Sequence, residues 1–209
     1  MVFADTHTHL YAEDFDRDRN HIMENALNTG VEYLFLPAID TEYFSRLINL
    51  CREYPVNCFP MMGLHPTSVK KNYRNELDFV TAKLADPGYK FCGVGEIGID
   101  LFRDKTFQRE QVEVFNYQLD LALKYNLPAI IHTRNSFDLA IGIIEEKNIP
   151  ELKGIFHCFG GNAEQARKAT ELGFKLGIGG VITYKNSGLQ KVVEVIGLEH
   201  LVLETDAPW

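Results

Sequence analysis

Asp5-Thr6-His7-Thr8-His9-Leu10 follows directly on the first β-rich run of the chain. An open, doubly wound sheet usually carries a glycine-rich phosphate loop at this place, between its first strand and first helix. Here the run closes on two histidines two residues apart. On an extended segment that spacing turns both imidazoles to one face, where they can grip one cation. Alternating polar residues also decorate half-buried strands, so the meaning of this pair depends on what ends the other strands.

Further β-rich runs are predicted at 33–37, 58–63, 91–96, 129–132, 155–158, 174–178 and 201–205, after the first at 2–6. Between them, apolar residues recur at helical spacing: Phe44, Leu47, Ile48 and Cys51; Phe137, Ala140, Ile141 and Ile144; Leu189, Val192, Val193 and Ile196. The longest helix, about 107–125, turns Val112, Phe115, Leu119 and Ala122 inward. Strand and helix alternating eight times imply a parallel sheet with right-handed crossovers, and eight such units close most naturally into a (β/α)8 TIM barrel. Residues 1–209 are expected to form one such domain.

In a barrel the first and eighth strands are neighbours. Asp206 then stands beside His7 and His9, although almost the whole chain separates them. Glu96, His132 and His157 end the predicted fourth, fifth and sixth strands, on the rim where parallel barrels keep their chemistry. These six residues read as a two-metal ligand set: His7, His9 and Asp206 on one ion, His132 and His157 on the other, Glu96 bridging. Imidazoles mixed with carboxylates suit zinc, manganese or iron, and tolerate magnesium. His21 falls in a predicted helix and His200 at the start of a strand, on the opposite rim; neither is assigned a role.

Two residues before Asp206, Glu204 points into the barrel one layer lower and is expected to accept a hydrogen bond from a ligand. Arg134, two after His132, can reach an anionic oxygen, as can Lys185 after the seventh strand. Gly177, Gly179 and Gly180 would leave an open floor on that side for a nucleotide backbone.

A net charge of −8 over 209 residues excludes a large basic surface and confines any nucleic-acid contact to a local patch. Two divalent ions would supply that patch, because they outweigh their two carboxylate ligands. The four cysteines are dispersed, without the close pairing of a zinc knuckle or a redox motif. The amino terminus lacks a signal-peptide pattern and no run reaches bilayer length, so a cytoplasmic protein with no membrane partner is expected.

DTHTHL (5–10), GLHP (63–66), GEIGID (95–100), IHTR (131–134), FHCFGG (156–161) and LETDAP (203–208) together resemble the TatD-type metal-dependent deoxyribonucleases, of the amidohydrolase-like barrels. The resemblance implies the same ligand division, with Glu96 where related carbamate-dependent hydrolases use a modified lysine. It also implies a substrate contact for His65, and for Lys185 in an ITYKN-like loop. One departure is Asp100-Leu101-Phe102-Arg103-Asp104, where the family commonly carries two tyrosines.

The reading is therefore a hydrolase that cleaves phosphodiester bonds in DNA with two divalent ions and a metal-bridged hydroxide, Asp206 taking the proton. Trimming of single strands from a 3′ end with magnesium or manganese is what the resemblance implies; zinc is the other metal. A barrel hydrolase of an amide, lactone or phosphotriester, and an inactive scaffold, are the alternatives; Arg134, Lys185 and His65 favour an anionic substrate. The family normally continues for some tens of residues past Asp206. The chain is accordingly expected to lack the eighth helix, with self-association through the uncovered side of the barrel.

Overall fold

A computed structural model describes residues 1–102 and 104–209; Arg103 of the 100–104 stretch lies outside the described residues. Eight strands are found among them: β1 (Phe3–Asp5), β2 (Val31–Leu36), β3 (Cys58–Pro60), β4 (Val94–Asp100), β5 (Ala129–Arg134), β6 (Gly154–Phe156), β7 (Lys175–Ile178) and β8 (Leu201–Leu203). Seven α-helices alternate with them: α1 (Arg19–Asn28), α2 (Phe44–Glu53), α3 (Tyr73–Ala85), α4 (Gln108–Tyr125), α5 (Phe137–Lys147), α6 (Ala163–Glu171) and α7 (Leu189–Ile196). The apolar stripes explain the helices, since Leu47 and Ile48, Phe115 and Leu119, Ala140 and Ile141, and Leu189 and Val192 are all buried.

Every strand pair is parallel and sequential, β1-β2-β3 in one sheet and β4 to β8 in the other. This is the strand order of a (β/α)8 barrel whose ring is not closed by ladder hydrogen bonds. At the first seam β3 ends on Pro60, which has no N–H to donate, and a single bridge joins Met62 to Val94. At the second seam, loop backbone replaces a ladder. Thr6 N–H donates to Leu203 O at 3.0 Å and Asp206 N–H to His7 O at 2.9 Å. One apolar cluster fills the β4–β8 side and another lies beneath α2 and α3. Phe3, Tyr33 and Leu203 remain exposed. Among the described residues, no helix is long and apolar enough to cross a membrane.

Two strands run further than their sequence suggests. The fourth was expected to stop at Glu96 and the fifth at His132, but β4 continues to Asp100 and β5 to Arg134. Ile97 and Ile99 extend the ladder by pairing with Ile131 and Thr133. Gly98 permits the close approach of these two strands. With φ at +141°, it lies so near β5 that a Cβ there would meet the carbonyl oxygen of His132 at 2.0 Å. Glu96 therefore sits within a strand buried along its whole length, a stiffer mount than a loop.

Helix α4 buries two amides besides its apolar stripe. Gln118 receives Leu64 N–H at 2.7 Å and donates to Leu64 O at 3.1 Å, while Gln111 receives Asp100 N–H at 2.8 Å. Each pins backbone beside the rim that carries Glu96 and His132, at residues 64 and 100. Gly98→Ala should lower stability by about 2–4 kcal/mol, combining strain with a separated strand pair. Urea unfolding would measure it, and an unchanged midpoint would show that β4 and β5 need no such approach.

Candidate active site

The segment after β1 carries His7 and His9 across the β8–β1 seam, held by His9 N–H donating to Ala207 O at 2.8 Å. Their Nε2 atoms lie 3.1 Å apart. Glu96 Oε2 is 3.2 Å from His7 Nε2 and 3.3 Å from His9 Nε2. Asp206 Oδ1 stands 3.6 Å and 3.7 Å from the same two nitrogens. Tyr11 hydroxyl donates to Pro37 O at 2.5 Å, so it accepts from His9 Nδ1–H at 2.8 Å. That hydrogen bond fixes the tautomer and leaves His9 Nε2 with its lone pair turned inward.

Glu96 offers its other oxygen to a second group. Oε1 lies 2.9 Å from His132 Nδ1, 2.9 Å from His157 Nε2 and 3.2 Å from His65 Nε2. His132 Nε2–H donates to Asp100 Oδ2 at 2.9 Å, which frees Nδ1 as an acceptor or ligand. His65 is wired the other way. Its Nδ1 accepts from Thr67 N–H at 3.1 Å, so the neutral ring carries its proton on Nε2 and donates to Glu96. Although His65, Glu96 and His132 lie close enough to hold an ion, this wiring fits His65 better as a donor at the cavity wall.

Glu204 is buried behind His157, with Oε1 3.7 Å from His157 Nδ1 and accepting from Cys158 N–H. The carboxylate occupies the space over Gly177, where a Cβ would come within 2.2 Å of Glu204 Oε2. Gly177 therefore makes room for Glu204 rather than opening a floor for substrate, which corrects the reading from sequence. Asp5 is a further buried carboxylate. It accepts from His7 N–H at 3.2 Å, Thr205 N–H at 3.0 Å and Thr205 Oγ1 at 2.6 Å, tying the His7 segment to the Asp206 segment. Asp5, Tyr11 and Asp100 were missed in the sequence. Asp5 was findable, because it precedes His7 by two, as Glu204 precedes Asp206.

A cavity of about 510 Å³ opens over these groups, walled in part by His9, His65, Glu96, His132, Arg134 and Asp206. The Arg134 guanidinium lies 3.9 Å from the centroid of the Phe102 ring. Lys185 is exposed in the turn after β7 and does not line the cavity, whereas Lys70 does. His21 lies exposed on α1 and His200 at the foot of β8, both outside the cluster.

The electrostatics are those of a cation site. Burial pushes the Asp206 carboxyl up to about 6, with Glu96 and Glu204 reinforcing and His157 and His9 opposing. Burial would also raise Glu96, but His65, His157 and His7 outweigh it and hold the carboxyl well below its usual range. Burial works against charge on His157, yet Glu96 and Glu204 raise it well above an ordinary imidazole. Because the folded pKa of Asp206 exceeds its unfolded value, the contribution of its neutral form to stability is complete below pH 4 and lost as pH rises through about 6. In metal-free protein, Asp206→Asn should therefore gain stability relative to the parent between pH 4 and 7. Paired thermal melts across that range would test it, and a constant difference would overturn the assignment.

The profile of the family described as TatD related DNase matches residues 4–209. The uncharacterized metal-dependent hydrolase YjjV of Escherichia coli (strain K12) is 35% identical over 207 residues, covering 99% of this chain and 79% of that protein. The crystal structure of YjjV superposes with a TM-score of 0.91 at 34% identity, over 99% of this chain and 79% of that one. A protein of Erwinia tasmaniensis named 3′-5′ ssDNA/RNA exonuclease TatD is 28% identical over 208 residues, covering 98% of this chain and 79% of that protein. The likeness carried by the six sequence motifs thus extends along the chain and through its fold, and the chain belongs to the TatD family of metal-dependent hydrolases.

Proposed function

We propose that the chain hydrolyses phosphodiester bonds in single-stranded DNA, working from a 3′ end with two divalent cations, magnesium or manganese. The observation that carries this reading is the division of Glu96, one oxygen facing His7 and His9 and the other facing His132 and His157. His7, His9 and Asp206 would hold one ion, His132 and His157 the other, with Glu96 between them. The donor set fits. The inward lone pairs of His9 Nε2 and His132 Nδ1 converge with carboxylate oxygens, a mixed imidazole and carboxylate donor set of the kind divalent cations take.

Bound there, divalent ions would acidify water and neutralise charge on the phosphoryl and leaving oxygens. Asp206 lines the cavity and accepts the proton of the attacking water. Arg134, steadied on Phe102, pairs with a phosphate oxygen, and His65 presents an N–H at the cavity wall. Lys185 would take part only with substrate that extends past β7. The relative named as a single-strand exonuclease supports DNA as substrate and the 3′ end as the point of attack.

Purified protein incubated with end-labelled single- and double-stranded oligonucleotides should shorten the single strands from the 3′ end. Chelation should abolish this and magnesium or manganese restore it; full turnover in metal-free protein would sink the reading. Glu96→Ala and Asp206→Ala should each lower turnover by about 100-fold or more, and His200→Ala should leave it unchanged. Asp100→Ala, which removes the acceptor behind His132, should weaken metal binding by about 10–100-fold. Titration calorimetry would detect that loss, and parent-like affinity would show that Asp100 does not orient the ring.

A further inference from the structure

A second cavity, of about 410 Å³, adjoins the first on the α3–α4 side of the rim and is lined by four cations: Lys70, Lys71, Arg74 and Arg109. Glu110 and Glu113 share it, and Glu113 is already engaged, accepting from the Tyr73 hydroxyl at 3.0 Å and lying 3.6 Å from Arg74. Lys71 and Arg109 form no ion pair among the described residues. In a chain of net charge −8, a cleft where cations outnumber carboxylates is a local reversal of sign.

Helix physics sharpens the point. Arg74 and Arg109 are each the second residue of their helix, α3 and α4. Cations in a first turn oppose the positive end of the helix dipole, so local helix stability does not account for them there. An anion in the cleft would meet both the side chains and the two helix ends. The cleft borders the active-site cavity, since Lys70 and Phe107 line both, with the Lys70 ammonium 5.7 Å from the Phe107 ring centroid.

We infer that this cleft is a binding site for the phosphates of a single nucleic-acid strand whose 3′ end lies in the active-site cavity; the inference rests on the phosphodiesterase reading above. A lone phosphate ester would need only the first cavity. A polymer that repeats its anion along a flexible backbone is what a row of cations continuing away from the reacting end recognises, and Phe107 at the junction offers a ring for a base to stack on.

The test uses the metal-loaded chain and the exposed pair Lys71→Ala with Arg109→Ala, neither of which touches the active-site cavity. Turnover of a thymidine dinucleotide and of a 15-nucleotide oligothymidylate is compared, and binding of the labelled 15-mer is followed by anisotropy across a salt series. The dinucleotide should be cleaved as by the parent. The KM for the 15-mer should rise roughly 10-fold at constant kcat, and the slope of log affinity against log salt should shrink by about 1.4, at about 0.7 per lost phosphate contact. Equal effects on both lengths, an unchanged slope, or competition by polyglutamate as strong as by unlabelled oligothymidylate would overturn the inference. Should the parent cleave neither substrate, the phosphodiesterase reading fails while the salt slopes still decide whether the cleft holds a strand.

Discussion

One buried carboxylate sets the terms for the rest of the structure. Glu96 is 2% exposed and has imidazole nitrogens of five histidines within 3.3 Å, two on one oxygen and three on the other. A carboxylate taken out of water is costly unless positive charge meets it at good geometry. The surrounding residues supply that geometry indirectly, by deciding which nitrogen of each ring keeps its proton. Tyr11 takes the proton of His9 from behind and Asp100 that of His132, so both rings turn a lone pair toward the centre. Thr67 does the reverse for His65, so that ring turns a proton inward. Rings that donate inward and rings that turn a lone pair inward are thereby separated by hydroxyl, carboxylate and backbone contacts a layer away.

The same cluster bears on how the barrel holds together. Its two sheets share no ladder, and the candidate site spans both seams. At the β8–β1 seam, Asp5 ties the His7 segment to Thr205, and Asp206 N–H bonds the carbonyl of His7. At the β3–β4 seam, Ala38 N–H donates to Gly95 O and Glu96 N–H donates to Ala38 O, both at 3.0 Å, so the backbone of the central carboxylate is itself part of the joint. Cations gathered there would bind across the seams and add to the closure that the strands leave incomplete, a direct coupling of ligand binding to fold stability.

Much of this was legible in the sequence because the informative residues stand at or near the C-terminal ends of strands, His7, His157 and Asp206 just past them and Glu96 and His132 within them. The strand period of two puts His7 and His9 on one face, and the barrel ring brings Asp206 to them. The unread part has two physical origins. The fourth strand was expected to stop at Glu96, whereas Gly98 lets β4 run on in close contact with β5 to Asp100, so the hold of Asp100 on His132 went unseen. Polar residues that act on backbone leave no periodic trace. Gln111 and Gln118 lie on the inner face of α4, where a reading of apolar stripes passes over them. Lys70 and Arg109 stand in loops and first turns that no periodicity marks, whereas Lys185, singled out from its loop, lies away from the cavity.

Charge operates here on two length scales. The net charge of −8 acts at a distance, and at physiological salt it is screened beyond about 8 Å. Within the cavity, burial of groups such as His9 and Glu96 leaves local charges less screened, so a few fixed groups govern what can enter. An acidic surface is consequently compatible with an anionic substrate so long as the cations lie within a screening length of where it binds. Arg134 and Lys70 line the cavity itself, and Lys71, Arg74 and Arg109 continue from Lys70 along one side. Other lysines and arginines are spread over the surface and several are ion-paired, as Arg46 is with Asp16 and Lys147 with Asp120, so the rim cleft where cations outnumber carboxylates would offer a strand the more favourable local field.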